Sequence, residues 1–381
     1  MSAHCALDFC DKPGTLVCSA CKDARYCSPA HQKAAWKMHK TECKLTQEHK
    51  KKCVAIVSQL QEDSAGKEAI GEAFDGFKSL LSASSRNADR LITNGALEAL
   101  SRAARPHGGD PPTVEKLLAG LFNICASGSV AGAADDARRA RAATSGALAV
   151  AIEALMEHVG DPHISSKAIK LLRRMCDGED EAGVEERCRL ASEAGAFEAV
   201  VAAIHAGSAP SGEGQAAAEE VGRAEDACGL LCLLAFGALD QAAADERADR
   251  AAAAGALEAV VAAMRAYPNK SGLQAQACSC IANICAGADA AATARRHRAV
   301  EAGALAAVEA AGDADGRAAM ALDVLQAVGD PDGAVAQPSI LAELSPMPSF
   351  IESQFAVKAE YEAWVVEQRR VGAEDAGGNL V

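Results

Sequence analysis

Eight cysteine and histidine side chains lie close together near the start of the chain, with the spacing of metal ligands. They form C-x4-C, C-x2-C, C-x3-H and H-x3-C pairs, namely Cys5, Cys10, Cys18, Cys21, Cys27, His31, His39 and Cys43. Because four such side chains complete one tetrahedral zinc site, eight predict two zinc ions per chain. So short a segment buries too little apolar surface to fold alone, and we expect zinc to supply about 10–16 kcal/mol of folding free energy per site.

The same eight residues could instead belong to the disulfide framework of a small secreted domain. Here they precede a long helical sequence with nine further cysteines, and no signal peptide is recognisable. We therefore expect an intracellular protein, cytoplasmic or nuclear, whose other thiols are reduced and buried.

The end of this segment resembles the MYND-type zinc finger. The family ending Y-C-S-x-x-[CH]-Q-x3-W-x2-H-x3-C is reproduced by Tyr26-Cys27-Ser28, His31-Gln32, Trp36, His39 and Cys43. The resemblance implies a cross-braced pairing, with one zinc on Cys5, Cys10, Cys27 and His31 and the other on Cys18, Cys21, His39 and Cys43. Two departures are visible: His31 stands where cysteine is commoner, and the C-x4-C spacing leaves His4 as an alternative to Cys5. MYND fingers bind proline-rich segments, so the resemblance also implies Gln32 and Trp36 as peptide contacts.

Two helices are predicted to position and follow these ligands. Ser28-Pro29 predicts a helix that starts directly after Cys27, with Trp36 as its one large apolar packing residue. After the finger, an amphipathic helix is predicted from Lys44 to Asp63, and the Lys50–Lys52 run is expected to be solvated. We expect the finger to unfold independently of the helical repeats. The predicted domains are the finger (1–43), a linker helix (44–66), helical repeats (67–330) and a C-terminal segment (331–381).

A glycine recurs along the rest of the chain at spacings of 51, 49, 60 and 48 residues, at Gly95, Gly146, Gly195, Gly255 and Gly303. Each follows a short helix and opens two apolar helices. This unit resembles the armadillo repeat, lengthened by polar inserts of which 207–219, expected to be a mobile loop, is the longest. The predicted fold is therefore all-α, an armadillo-like α-solenoid with a small N-terminal two-zinc finger. A helix at 349–370 is expected to cap its open end, followed by a disordered tail.

Composition and charge narrow the function classes. Apolar residues make up 50% of the chain but aromatic residues only 3%, which favours close-packed helices. The net charge of the chain is −14. Residues 1–53 have a net charge of +5, so the remaining residues have a net charge of −19. Because such a body would repel phosphate, no direct nucleic-acid binding is expected. The longest apolar run, Cys228 to Leu239, is too short to span a membrane, and the oligomeric state is left open.

Two sets of repeated polar residues are candidate contacts. In peptide-binding armadillo proteins an asparagine of the third helix grips the ligand backbone, which makes Asn123 and Asn283 candidates. Arginines recur more regularly before the repeat glycine, eight residues before it at Arg138, Arg187, Arg247 and Arg295, and about five before it at Arg90, Arg141, Arg189, Arg250 and Arg298. Stacked repeats would align them into basic rows, which either join surface ion pairs or dock an acidic segment.

No nucleophile elbow, phosphate-binding glycine loop or acid–base pair is recognisable. We therefore predict a non-enzymatic adaptor, whose finger captures a proline-rich peptide and whose helical repeats hold a second protein or peptide partner. The alternatives are a transcriptional or chromatin co-regulator, or a subunit associated with a methyltransferase. Some MYND fingers occur in SET-domain methyltransferases, but the motifs of that domain are not found here.

Overall fold

Helices make up most of the described chain, as its alanine-rich sequence predicts. The computed structural model describes residues 4–7, 9–62, 66–126, 133–207, 215–237, 239–312 and 316–327. Over these ranges it contains 17 α-helices and one two-stranded hairpin. The predicted capping helix and tail lie outside the described residues, and so do residues 208–214 of the predicted mobile loop. The loop is shorter than the predicted 207–219, because a helix begins at Gln215.

A short hairpin and a long helix build the N-terminal segment. Strands β1 (Leu16–Val17) and β2 (Arg25–Tyr26) pair antiparallel. Helix α1 (Pro29–Gln61) follows at once, because the Ser28 hydroxyl accepts a hydrogen bond from the His31 N–H at 3.2 Å and Pro29 occupies the first turn. The predicted helix start after Cys27 is confirmed.

No interruption separates the finger from the predicted linker helix, because α1 runs continuously for 33 residues. Its C-terminal half buries Cys53, Val57 and Leu60 in the core of the helical body, against α2 (Lys67–Ala83) and the two helices after it. The finger has its own small buried cluster around Tyr26. One helix thus belongs to both parts, so the expectation that they unfold independently is not supported.

Five units of three helices follow α2. Their bounds are α3 (Arg86–Thr93), α4 (Ala96–Ala104) and α5 (Pro111–Ala126); α6 (Ala133–Thr144), α7 (Ala147–Glu157) and α8 (Pro162–Cys176); α9 (Glu181–Glu193), α10 (Ala196–Ala206) and α11 (Gln215–Ala235); α12 (Gln241–Ala253), α13 (Ala256–Ala266) and α14 (Ser271–Cys285); α15 (Ala290–Ala302), α16 (Ala304–Ala311) and α17 (Arg317–Gln326). A 3-10 turn, Arg105–His107, follows α4. Helices at the same position of successive units pack on one another, and α2 packs on α5. One buried cluster consequently extends from Cys53 on α1 to Leu325 on α17.

The repeat glycines have the backbone conformation that the sequence pattern predicts. Gly95, Gly146, Gly195, Gly255 and Gly303 join the first and second helices with φ between 85° and 94°. This left-handed region is costly for residues that carry a Cβ atom, so glycine allows the sharp turn at little cost.

Replacing Gly255 by alanine is therefore expected to lower the free energy of unfolding by about 1–2 kcal/mol. The cost is one of backbone conformation, because an added Cβ would meet no heavy atom closer than 3.9 Å. Gly222, within helix α11, is the matched control: its Cβ would meet nothing within 4 Å. Gly222→Ala should raise stability by about 0.5–1 kcal/mol. Chemical denaturation of both variants measures the difference, and equal shifts would contradict the turn argument.

The inner arginine row, which the sequence placed on the surface, is buried. Arg138, Arg187, Arg247 and Arg295 are between 2% and 8% exposed. Arg247 donates to the Leu234 and Phe236 carbonyls at 3.0 and 2.8 Å, and Arg295 donates to those of Ile284 and Ala286 at 2.6 and 2.8 Å. These carbonyls end the third helix of the preceding unit, where a positive charge is favourable.

The inner row also pairs with acids on the first helix of the unit before. The pairs are Arg138 with Asp89, Arg187 with Asp136, Arg247 with Glu185, and Arg295 with Asp245 and Asp249. The docking hypothesis is therefore wrong for this row, which joins successive units from within.

The outer arginine row is engaged in ion pairs, as one of the two hypotheses predicts, and all but that of Arg90 lie at the surface. Its pairs are Arg90–Asp23, Arg141–Glu98, Arg189–Glu186, Arg250–Glu246 and Arg298–Glu258. Two of them, Arg141–Glu98 and Arg298–Glu258, again connect neighbouring units. Both rows consequently have contacts within the chain.

Candidate metal centre

The first ligand quartet joins a loop to the beginning of α1. Cys5 and Cys10 lie in the loop before β1, Cys27 directly follows β2, and His31 lies in the first turn of α1. The His31 Nδ1 atom is 3.7 Å from Cys5 Sγ and 3.2 Å from Cys27 Sγ, and the Cys10 and Cys27 sulfurs are 3.8 Å apart. His4 lies outside this quartet, with its Nδ1 atom 3.3 Å from the Asp11 carbonyl oxygen.

The second quartet joins the hairpin to the middle of α1, and all four of its side chains are buried. Cys18 and Cys21 lie in the turn after β1, which closes through a hydrogen bond from the Lys22 N–H to the Cys18 carbonyl at 2.9 Å. His39 and Cys43 are four residues apart and therefore share one helix face. The Cys18 and Cys43 sulfurs are 3.9 Å apart, and Cys21 Sγ is 3.5 Å from His39 Nε2.

Both quartets have the dimensions of tetrahedral zinc sites. The donor atoms of each quartet lie within 4.8 Å of one another. Zinc binds sulfur at about 2.3 Å and nitrogen at about 2.0–2.1 Å, so a tetrahedron requires edges of about 3.8 Å between sulfurs and about 3.5 Å between sulfur and nitrogen. The edges of 3.8, 3.9 and 3.5 Å match these values, and the sulfur–nitrogen edges of the first quartet, 3.7 and 3.2 Å, lie on either side of theirs. The arrangement is cross-braced, since the two quartets alternate along the chain.

One thiol in each quartet ionises readily without a metal. Burial opposes ionisation of Cys5, but hydrogen bonds from the backbone of Leu7 and Cys27 and from His31 outweigh it and lower the pKa to about 6. Burial likewise opposes ionisation of Cys18, but the Cys21 backbone and the His39 ring lower its pKa to about 6. Hydrogen bonding therefore favours the thiolate form of one cysteine in each quartet.

A second thiol in each quartet, Cys43 and Cys27, resists ionisation beside that first thiolate. Burial raises the pKa of Cys43 to about 11, and the hydrogen bond to Cys18 and the charge of Cys21 add to the effect. The pKa of Cys27 is also raised, by burial and then by Cys10 and Cys5. A bound dication offsets this repulsion and lets all three thiolates of a quartet form. The donor chemistry thus fits a zinc ion at each site.

Contacts around the second quartet include residues that the sequence did not single out. Lys50 donates to the Cys21 carbonyl at 2.6 Å and lies 2.7 Å from Asp23 Oδ1, so its assignment to a solvated run was wrong. Asp23 also binds Arg90 of α3, which connects the finger to the first helical unit. Lys50 comes two helical turns after Cys43, and no local sequence signal marks its contact across to the hairpin.

The packing role expected of Trp36 belongs to Tyr26. The Tyr26 side chain is fully buried, whereas Trp36 is 44% exposed and only its edge meets the His39 ring, at 6.0 Å between centroids. Trp36 and Gln32 line a shallow surface pocket together with Pro29 and Lys33. The structure therefore places both predicted peptide contacts of the finger side by side.

The predicted contacts of the helical body are remote from one another. Asn123 lies on α5 and Asn283 on α14, three units apart. The Asn283 amide donates to the Cys232 carbonyl of α11 at 3.1 Å, and so joins two successive third helices. The role of Asn123 and Asn283 in partner binding stays a prediction.

The comparison with known families covers the zinc-binding segment. Residues 5–43 match the model of the MYND finger. This segment is a MYND zinc finger. The MYND finger is a zinc-binding protein-interaction domain, and its two Cys/His clusters fit two zinc ions. No curated protein and no solved structure matches the chain. None of the described helices is long and apolar enough to cross a membrane.

Proposed function

We propose that this protein is a non-enzymatic adaptor, in which the MYND finger captures a proline-rich peptide and the helical body holds a second partner. The observation that supports the first part is the pocket formed by Pro29, Gln32, Lys33 and Trp36, with a volume of about 250 Å³. It lies on the first turns of α1, the helix that carries the ligands His31 and His39. Zinc binding consequently fixes the elements that shape the pocket.

The chemistry of this pocket suits an extended proline-containing segment. Polyproline helices dock on exposed aromatic rings, and they lose little conformational entropy on binding because they are preformed. Trp36 supplies the ring, and the Gln32 amide can donate to a backbone carbonyl that proline leaves without a partner. We assign the eight cysteine and histidine residues of the two quartets as the zinc ligands that hold this surface in place.

We propose that the helical body is an armadillo-like solenoid. The support is its three-helix unit with a left-handed glycine, repeated five times, and the packing of equivalent helices from unit to unit. Helix α1 contacts α2, α3 and α4, so the last element of the finger also covers the first layer of the stack. An intracellular adaptor built this way presents its two binding surfaces on one continuous scaffold.

Replacing Trp36 by alanine is expected to weaken binding of a proline-rich peptide about tenfold or more, since exposed aromatic residues dominate such interfaces. Zinc content should stay at two, because Trp36 is 44% exposed. Met38, 78% exposed on another face of α1, provides the matched control, and Met38→Ala should leave affinity unchanged. Fluorescence anisotropy with a labelled peptide measures both. Unchanged affinity of the Trp36 variant would refute the proposed site.

A further inference from the structure

A row of lysines on α1 has no acidic partner in the described part of the chain. Lys33, Lys37, Lys40 and Lys44 follow one another at intervals of four, three and four residues, which places them on one face of a helix with about 3.6 residues per turn. All four lysines are exposed, and Lys33 also lines the pocket. The lysines that do form ion pairs among the described residues are Lys50, Lys67, Lys167 and Lys170. We refer to Lys33, Lys37, Lys40 and Lys44 as the lysine row.

The lysine row is unusual in a chain with a surplus of carboxylates. The sequence has 52 acidic and 38 basic residues, and the outer arginines of the body each lie against an acid. In the row, positive charges accumulate on one helix face instead. Glu48, one turn beyond Lys44, is the first acidic residue on this face and separates the row from Lys51. The positive potential of the row is therefore available to an external anion.

The row begins at the peptide pocket, because Lys33 lines that pocket together with Trp36. From Lys33 to Lys44 it extends about 16 Å at 1.5 Å per residue. An extended peptide rises about 3.3 Å per residue, so about five residues would cover this length. A single bound segment can thus reach both the pocket and the row.

We propose that the ligand of the finger carries a short run of acidic residues next to the segment that enters the pocket, and that the lysine row binds this run. The inference rests on the proposed peptide capture and names its partner class, an acidic proline-containing peptide. Four exposed ion pairs of ordinary strength together amount to about a tenfold gain in affinity.

A peptide fits the charge distribution of the chain better than a nucleic acid does. A nucleic acid carries phosphates at regular intervals, and these would continue past Glu48 toward a body with a net charge of −19 beyond residue 53. A run of about five acidic residues ends where the row ends. The favoured ligand is therefore short and locally acidic.

The test uses the full chain with zinc bound and two synthetic peptides that share one proline-rich core. One has a flank of five glutamates and the other a flank of five glutamines. At low salt we expect the glutamate peptide to bind about tenfold tighter, with a smaller advantage near 0.15 M salt, where the Debye length is about 8 Å. The double variant Lys37→Glu/Lys40→Glu should lose this advantage and bind the glutamine peptide within about twofold of the unmodified chain.

The matched control is Lys51→Glu/Lys52→Glu, which makes the same charge change on the same helix beyond Glu48. It should keep most of the advantage, and both double variants should still hold two zinc ions. Equal affinities for the two peptides, or equal losses in the two double variants, would overturn the inference. Tighter binding of a single-stranded oligonucleotide of equal charge through the same lysines would overturn it in favour of nucleic acid. Failure of the glutamine peptide to bind the unmodified chain would instead count against the pocket, and so against the proposed function.

Discussion

Replacing Cys43 by serine is expected to remove zinc from the second quartet and to unfold residues 5–43. A serine hydroxyl is a poor zinc ligand at neutral pH, and a structural site contributes about 10–16 kcal/mol to folding. Elemental analysis should give one zinc ion per chain or fewer. Cys53 is the matched control, since it is equally buried on the same helix but belongs to the body core. Cys53→Ser should keep both zinc ions and cost about 1–3 kcal/mol for burying a hydroxyl.

The same Cys43 variant should also lower the melting temperature of the body. Unfolding of the hairpin breaks the ion pair between Asp23 and Arg90. Arg90 is only 13% exposed, and it keeps its hydrogen bond to Asn87. We expect the transition to fall by roughly 2–4 °C, while most of the helical circular dichroism remains because the second half of α1 packs in the body. Two zinc ions in the Cys43 variant would contradict the ligand assignment. An unchanged transition would show that the two parts unfold independently, as the sequence suggested.

Replacing Arg247 by alanine is expected to destabilise the body by about 3–5 kcal/mol, as removal of one partner from a buried charged network does. Arg247 is 3% exposed, and its guanidinium donates to the Leu234 and Phe236 carbonyls at the end of α11. Its loss removes a donor from each of those carbonyls. The Glu185 carboxylate, 3.9 Å from the guanidinium and also bound to the Leu239 and Asp240 N–H groups, loses its neighbouring charge.

Arg250, three residues further along the same helix, provides the comparison. It is 41% exposed and pairs with Glu246 across one helical turn, so Arg250→Ala should cost no more than about 1 kcal/mol. Urea denaturation of both variants gives the two free energies of unfolding. Similar small losses in both would show that the inner arginine row does not hold successive units together.

The sequence by itself determined the features that depend on local chemistry. Cysteine and histidine are the zinc-binding residue types, and their number and spacing sufficed to predict two ions. Ser28-Pro29 specified where α1 begins, because a cap acts on the backbone next to it. The repeat glycines specified the left-handed turns, because only glycine adopts positive φ at little cost.

Only the tertiary structure decided which face of each helix meets another helix. Arg247 and Arg250 look alike in the repeat pattern, yet one is buried and the other exposed, because the neighbouring unit covers a single side of α12. The same is true of Tyr26 and Trp36, either of which could have packed the finger. The sequence also did not reveal that α1 continues across residues 43 and 44. The pattern of zinc ligands ends at Cys43, whereas a helix continues until its backbone is capped or broken. That continuity makes the zinc finger and the first layer of the helical body parts of one element.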